Sequence, residues 1–108
     1  ACTDDVHQWP IKGVIAIGYP FHPIGKPEKL RLEPIEENTL PILIIQGERD
    51  KLGSKDEIAN YSLPVNCQIE FMLDGDHDIK PRVKSGFTHQ EHIEHAAECI
   101  ENFVKGLC

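Results

Sequence analysis

The sequence predicts an α/β fold of three parallel strands with flanking helices, and three observations carry that expectation. Two short β-branched apolar runs, Val14-Ile15-Ala16-Ile17 and Ile42-Leu43-Ile44-Ile45, contain no alternating polar positions. That is the pattern of strands buried on both faces. A third extended segment, Cys67 to Leu73, follows a helix-start signal, and a long helical pattern closes the chain. Strands separated by helices imply parallel pairing through right-handed crossovers.

The first strand is bounded by Gly13 and Gly18. From Tyr19 to Pro41 the chain carries five prolines, at 20, 23, 27, 34 and 41. Each fixes φ and removes a donor, so this connection is expected to be mostly loop, with one short helix around Glu28 to Arg31. The second strand runs into Gly47-Glu48-Arg49-Asp50. Ser54-Lys55-Asp56-Glu57 then has the form of a capping box, in which the serine and the glutamate satisfy each other's backbone amides. A helix is expected from there to about Tyr61. The third strand ends in Asp74-Gly75-Asp76-His77-Asp78. Thr88-His89-Gln90-Glu91 is a second capping box, after which Ile93, Ala96, Ala97, Ile100, Phe103, Val104 and Leu107 recur at helical spacing. Three parallel strands need helices on both faces, but the pattern offers one long helix, one short one and a turn of a third. Residues 1–108 are therefore read as a single partial domain.

At 40% hydrophobic and 27% charged residues the composition is that of a globular chain of at most one domain. A net charge of −7 argues against nucleic acid or an anionic membrane as a partner, since both demand a basic surface. No apolar stretch reaches a membrane-spanning length and no signal-peptide pattern opens the sequence, so a cytoplasmic location is expected. The cysteines at 2, 67, 99 and 108 form no C-x-x-C pair and are read as free thiols. A chain that starts at Ala1 with Met72 as its sole methionine is compatible with a processed or cut product.

Reactive groups of parallel sheets gather in the loops beyond the carboxyl ends of the strands. Three such loops carry Tyr19-Pro20-Phe21-His22, Glu48-Arg49-Asp50 and Asp76-His77-Asp78. Asp50 suits a turn, but Ser54 already serves as the helix cap, which leaves the carboxylate free. A histidine acting as a base must be oriented through its second ring nitrogen by a buried carboxylate, and an acid after one strand with a histidine after the next fits that need. The order acid then histidine also follows that of α/β-hydrolases.

The stretches Ile17-Gly18-Tyr19-Pro20-Phe21-His22-Pro23, Ile44-Ile45-Gln46-Gly47-Glu48-Arg49-Asp50 and Asp74-Gly75-Asp76-His77-Asp78-Ile79-Lys80-Pro81 resemble small predicted hydrolases near the dienelactone hydrolase branch of the α/β-hydrolase superfamily. The resemblance spans nearly the whole chain. It implies that the three strands are the sixth, seventh and eighth of the superfamily sheet, so that the chain is the C-terminal part of the domain. It further implies that Asp50 is the acid and His77 the base of a catalytic triad, acting on an ester or related acyl substrate without a cofactor. The superfamily's G-x-S-x-G elbow has no counterpart here: of Ser54, Ser62 and Ser85, none is expected on a strand-to-helix turn. The chain alone is therefore expected to be inactive. Tyr19, Phe21 and His22 are candidates for a substrate-pocket wall, or equally for packing.

Two metal readings compete. His89, His92, His95 and Cys99 lie at helical spacing, but the same stretch with its glutamates also reads as a solvated helix face. Asp76-His77-Asp78 would need further ligands for a metal-dependent phosphohydrolase. No metal site is expected. The rival from another class is a non-catalytic interaction subunit with a hydrolase-like fold. Either way, an exposed sheet edge makes a complementary N-terminal part of the fold, or a tight homo-oligomer, the expected partner.

Overall fold

A computed structural model describes residues 11–107. Its elements are β1 (Val14–Ile17), α1 (Glu33–Glu36), β2 (Ile42–Gly47), α2 (Lys55–Ile58), β3 (Cys67–Met72), a short 3₁₀ turn (Val83–Ser85) and α3 (His89–Leu107). The strands form one parallel sheet in the order β1-β2-β3, with Val14 opposite Ile42 and Ile42 opposite Cys67.

The central strand meets the expectation of burial on both faces. Ile42 and Ile44 point into one apolar cluster, with Phe21, Ile35 and Ile58. Leu43 and Ile45 point into another, with Met72, Ile79 and Ala96. The two-residue period of a strand divides its side chains this way. On the second face α3 supplies Ala96, Cys99, Ile100 and Phe103, and those positions share one side of a helix.

The first strand departs from its sequence pattern. Val14 and Ile15 are each 39% exposed and Ile17 is 56% exposed, although the run looked buried on both faces. The reason is topological: β1 is an edge strand with a neighbour on one side. Ala16 still packs on the first cluster, and Ile17 shares a cavity wall with Ile93, Ala97 and Ile100 of α3.

The short helices also differ from expectation. Lys26 to Lys29 form a turn rather than a helix, and the helical turn lies at Glu33–Glu36 instead. Pro34 explains the shift, because a proline in a first turn is preset in φ and has no amide to leave unpaired. Buried Ile35 then anchors the turn on the core. Ser54 and Glu57 form the reciprocal capping box as expected, but α2 stops at Ile58. Beyond it, Asn60 and Tyr61 donate to carbonyls three residues back, tightening the last turn. At α3 the second box is also present: the Glu91 amide donates to Thr88 Oγ1 (3.1 Å) and the Thr88 amide to Glu91 Oε1 (2.8 Å). Among the described residues no helix is long and apolar enough to cross a membrane.

Candidate active site

The loop after β2 and the loop after β3 are stitched together before either presents a reactive group. Gly47 permits the contact, since a Cβ there would lie 2.0 Å from the Asp76 carbonyl oxygen and 2.4 Å from that of Gly75. The Arg49 amide donates to the Gly75 carbonyl (2.8 Å), and Arg49 Nε donates to the Asp74 carbonyl (2.8 Å). In return the Asp74 amide donates to Glu48 Oε1 at 2.8 Å.

The β3 loop is held from its far side as well. Asp74 accepts from the Arg82 amide and guanidinium, and that guanidinium holds its carboxyl well below the usual carboxylate range. Asp76 Oδ1 accepts from the amides of Asp78 (2.9 Å) and Lys80 (3.0 Å), a local turn of the kind aspartate favours. Asp74 and Ile79 both adopt φ of +58°. For a β-branched residue that conformation is strained, and it is retained because Ile79 is buried beneath α3. Strain of this kind persists only where surrounding packing over-determines it.

Asp50 and His77 meet as the sequence reading required. His77 Nδ1 lies 2.9 Å from Asp50 Oδ2, with Asp50 fully buried and the His77 side chain 46% exposed. Asp50 Oδ1 accepts from the Leu52 amide at 2.8 Å, which fixes the carboxylate plane. The hydrogen bond to Asp50 leaves Nε2 as the ring nitrogen available to a reacting group. Gly18, at the end of β1 with φ of +72°, forms the floor beneath the imidazole. A Cβ there would lie 3.0 Å from the ring Cε1 and 2.7 Å from the His77 carbonyl oxygen.

Gln46 braces this assembly from inside. It is fully buried, its Oε1 accepts from the Tyr19 amide (2.9 Å), and its Nε2 donates to the carbonyls of Tyr19 (3.1 Å) and Gly53 (2.9 Å). One side chain thus ties the loop after β1 to the loop after β2. Sequence reasoning missed both Gln46 and Gly18. The signals were a single amide interrupting an apolar run and a glycine closing a strand.

Of the proposed pocket wall, Phe21 and His22 are buried, at 0% and 3% exposure. Phe21 packs edge-on to Tyr19 and against Tyr61, and His22 contacts Glu57. Tyr19 donates its hydroxyl to the Arg31 carbonyl (2.6 Å) and lines a cavity of about 170 Å³ with Ile35 and Ile44. None of the three lines the two cavities that open beside His77. The larger, about 430 Å³, has Ile17, Ile79, Ile93, Ala97 and Ile100 in its wall. The smaller, about 240 Å³, has Arg49, Lys51, Leu52 and Asp76.

No described serine is bonded to His77. Ser54 Oγ is occupied by its cap, and Ser85 Oγ donates to the Arg82 carbonyl at 2.6 Å. Burial pushes the thiols of Cys67 and Cys99 up, away from thiolate; Cys2 and Cys108 lie outside the described residues. Along α3, His92 is buried and bonded to the Leu73 carbonyl (2.6 Å), and His89 is bonded to the Asp78 carbonyl (3.1 Å). Among the described residues no group of three or more His, Cys, Asp or Glu side chains is placed to hold a metal ion.

A family model described as an alpha/beta hydrolase domain matches residues 1–105. The chain belongs to the alpha/beta hydrolase domain family. Neither the curated proteins nor the solved structures include a match to it. Within an alpha/beta hydrolase domain, three parallel strands with an acid and a histidine in consecutive loops are an arrangement that can move a proton. A histidine so held could accept it at Nε2, with the buried carboxylate stabilising the resulting imidazolium through Nδ1.

Proposed function

We propose that this chain supplies the general base, His77, and its orienting acid, Asp50, to an acyl-transferring hydrolase of the alpha/beta hydrolase family. The observation that carries the reading is the 2.9 Å bond from His77 Nδ1 to a fully buried Asp50 carboxylate, with the half-exposed ring facing outward. His77 Nε2 takes the proton of a serine or cysteine nucleophile as that atom attacks the carbonyl carbon of an ester or related acyl substrate. The tetrahedral intermediate then collapses, the proton passes from Nε2 to the leaving alkoxide, and the acyl group stays on the nucleophile. Water, deprotonated by the same nitrogen, then adds to the acyl carbon, and the proton returns from Nε2 to the departing nucleophile as the acid is released. No cofactor is needed for these steps.

The nucleophile comes, on this reading, from a segment that joins the sheet at β1, the N-terminal part of the same fold. The two sheet edges support that choice. β3 carries Gln68 and Glu70, hydrogen-bonded to each other at 3.3 Å, and polar side chains of that kind protect an edge from further pairing. β1 carries only Val, Ile and Ala, and Ile17 opens onto the larger cavity beside His77. The reading places this chain as the C-terminal part of the domain.

The test is reaction of the native protein preparation with a serine-reactive fluorophosphonate, followed by intact-mass analysis of every chain present. Labelling of a companion segment, abolished by His77→Gln and slowed by about four orders of magnitude by Asp50→Asn, supports the proposal. Labelling indifferent to both substitutions refutes the roles given to Asp50 and His77. Absence of a companion chain, beside this 12.2 kDa chain, labelled by the fluorophosphonate or, for a cysteine nucleophile, by iodoacetamide favours a non-catalytic interaction subunit.

A further inference from the structure

Behind the Asp50 loop, His22 is a buried ionisable group that the proposed chemistry does not use. Its Nδ1 lies 2.8 Å from the Pro23 carbonyl oxygen, and its Nε2 lies 3.0 Å from both Oε1 and Oε2 of Glu57. The side chain is 3% exposed. A carbonyl oxygen can only accept. So can the Glu57 carboxylate, which already receives the Ser54 amide (3.0 Å) and hydroxyl (3.1 Å). A neutral imidazole has one N–H, and its other nitrogen would face an oxygen lone pair away from water. The Ser54 amide holds Glu57 below its usual range and so ionised, and only the doubly protonated ring then satisfies both contacts.

We infer that His22 is a buried imidazolium that latches the loop after β1 to α2, making the seating of the Asp50 loop pH-dependent. The His22 amide donates to the Leu52 carbonyl (3.1 Å). Its neighbour Phe21 fills the space against Gly53, where a Cβ would lie 2.6 Å from Phe21 Cδ2. Residues 21–22 therefore support residues 52–53, and Leu52 in turn holds the Asp50 carboxylate.

The charged groups facing His22 are Glu57 from α2 and Asp50 from the β2 loop, and both favour the cation. Tyr19 and Tyr61, which flank Phe21, are held above 10.0 by burial and stay neutral. The Pro23 carbonyl is the largest cause raising His22 above 6.5, burial opposes it, and Glu57 adds to the rise. A raised histidine gives a contribution that is fully present below 6.5 and lost as pH climbs through the folded midpoint. Within that window latch opening grows by up to about tenfold per pH unit, then levels off.

The test is a pH titration of the ring nitrogens of the full chain by ¹⁵N NMR, with His22 assigned from a His22→Gln spectrum and amide exchange followed at His22 and Gly53. The expected midpoint lies above 6.5, with both ring nitrogens protonated below it. Glu57→Gln, which keeps the cap because glutamine also serves at that position, brings the midpoint down and narrows the pH-linked loosening. Ser54→Ala, which loses the cap but keeps the carboxylate, retains the raised midpoint. A wild-type midpoint at or below 6.5, or one unmoved by Glu57→Gln, overturns the inference. The readouts require no catalytic turnover, so they stand or fall apart from the roles of Asp50 and His77.

Discussion

Replacing Gly18 by alanine should unseat His77 from Asp50. Two separable costs follow from the structure. The first is backbone strain, because Gly18 has φ of +72° and a left-handed L-residue costs about 1–2 kcal/mol. The second is contact. The new Cβ would lie 3.0 Å from the imidazole Cε1, 3.1 Å from Nδ1 and 2.7 Å from the His77 carbonyl oxygen. Ordinary contact begins at 3.4 Å, so the overlap with the backbone oxygen is 3.4 − 2.7 = 0.7 Å, and the ring must give by 3.4 − 3.0 = 0.4 Å. Overpacking of this order costs about 1–3 kcal/mol. The sum is about 2–5 kcal/mol, a large share of a small domain's stability. Gly25 provides the control: its φ is +76°, and a Cβ there meets nothing within 4 Å. Gly25→Ala should therefore show the strain alone, about 1–2 kcal/mol. Denaturant unfolding of both variants measures the difference, and the downfield proton resonance of His77 Nδ1 reports the bond to Asp50. Loss of that resonance in Gly18→Ala, with its survival in Gly25→Ala, is the expected result. Equal destabilisation of the two variants with an unchanged His77 signal would refute the argument that Gly18 seats the imidazole.

Two further outcomes are expected. Leu43→Ala, at a fully buried position between β2 and α3, should destabilise the chain by about 2–5 kcal/mol in urea unfolding; a loss below 1 kcal/mol would mean that α3 does not pack as described. Because Arg82 holds Asp74 low, the grip on the β3 loop should be intact above pH 3.8 and weaken only as pH falls below it. The Arg82 amide resonance should accordingly titrate with a midpoint well below 3.8, and Arg82→Ala should return Asp74 toward that value. A wild-type midpoint already there would dismiss the ion pair as a tether.

What the sequence made legible were features with local or strictly periodic causes. β2 announces itself because an unbroken β-branched run admits few other structures, and both capping boxes are four-residue patterns whose partners lie within one turn. Asp50 and His77 could be paired because topology alone brings consecutive strand ends together. The features that escaped depend on what packs against what. β1, like the start of β2, is an unbroken apolar run, and its exposure follows from having one neighbour rather than two. α1 lies beyond its expected position because Pro34 serves a first turn as well as it breaks an interior. For Phe21 and His22 a pocket wall and simple packing stayed equally open, since nothing local reveals that Gly53 and Glu57 receive them. Gln46 was unreadable for the same reason: its three partners lie in two different loops.

The geometry of the Asp50–His77 pair is set by contacts within the described residues. Gln46 joins the first loop to the second, Arg49 and Glu48 join the second to the third, and Gly18 closes the circuit beneath the imidazole. Each link ends on backbone or on a buried side chain, so none needs a substrate to form. Catalytic groups act best when the surrounding structure fixes their orientation before reaction, because reorganisation then adds nothing to the barrier. If His77 is the base proposed above, the incoming segment need only place an oxygen or sulfur within hydrogen-bond reach of Nε2.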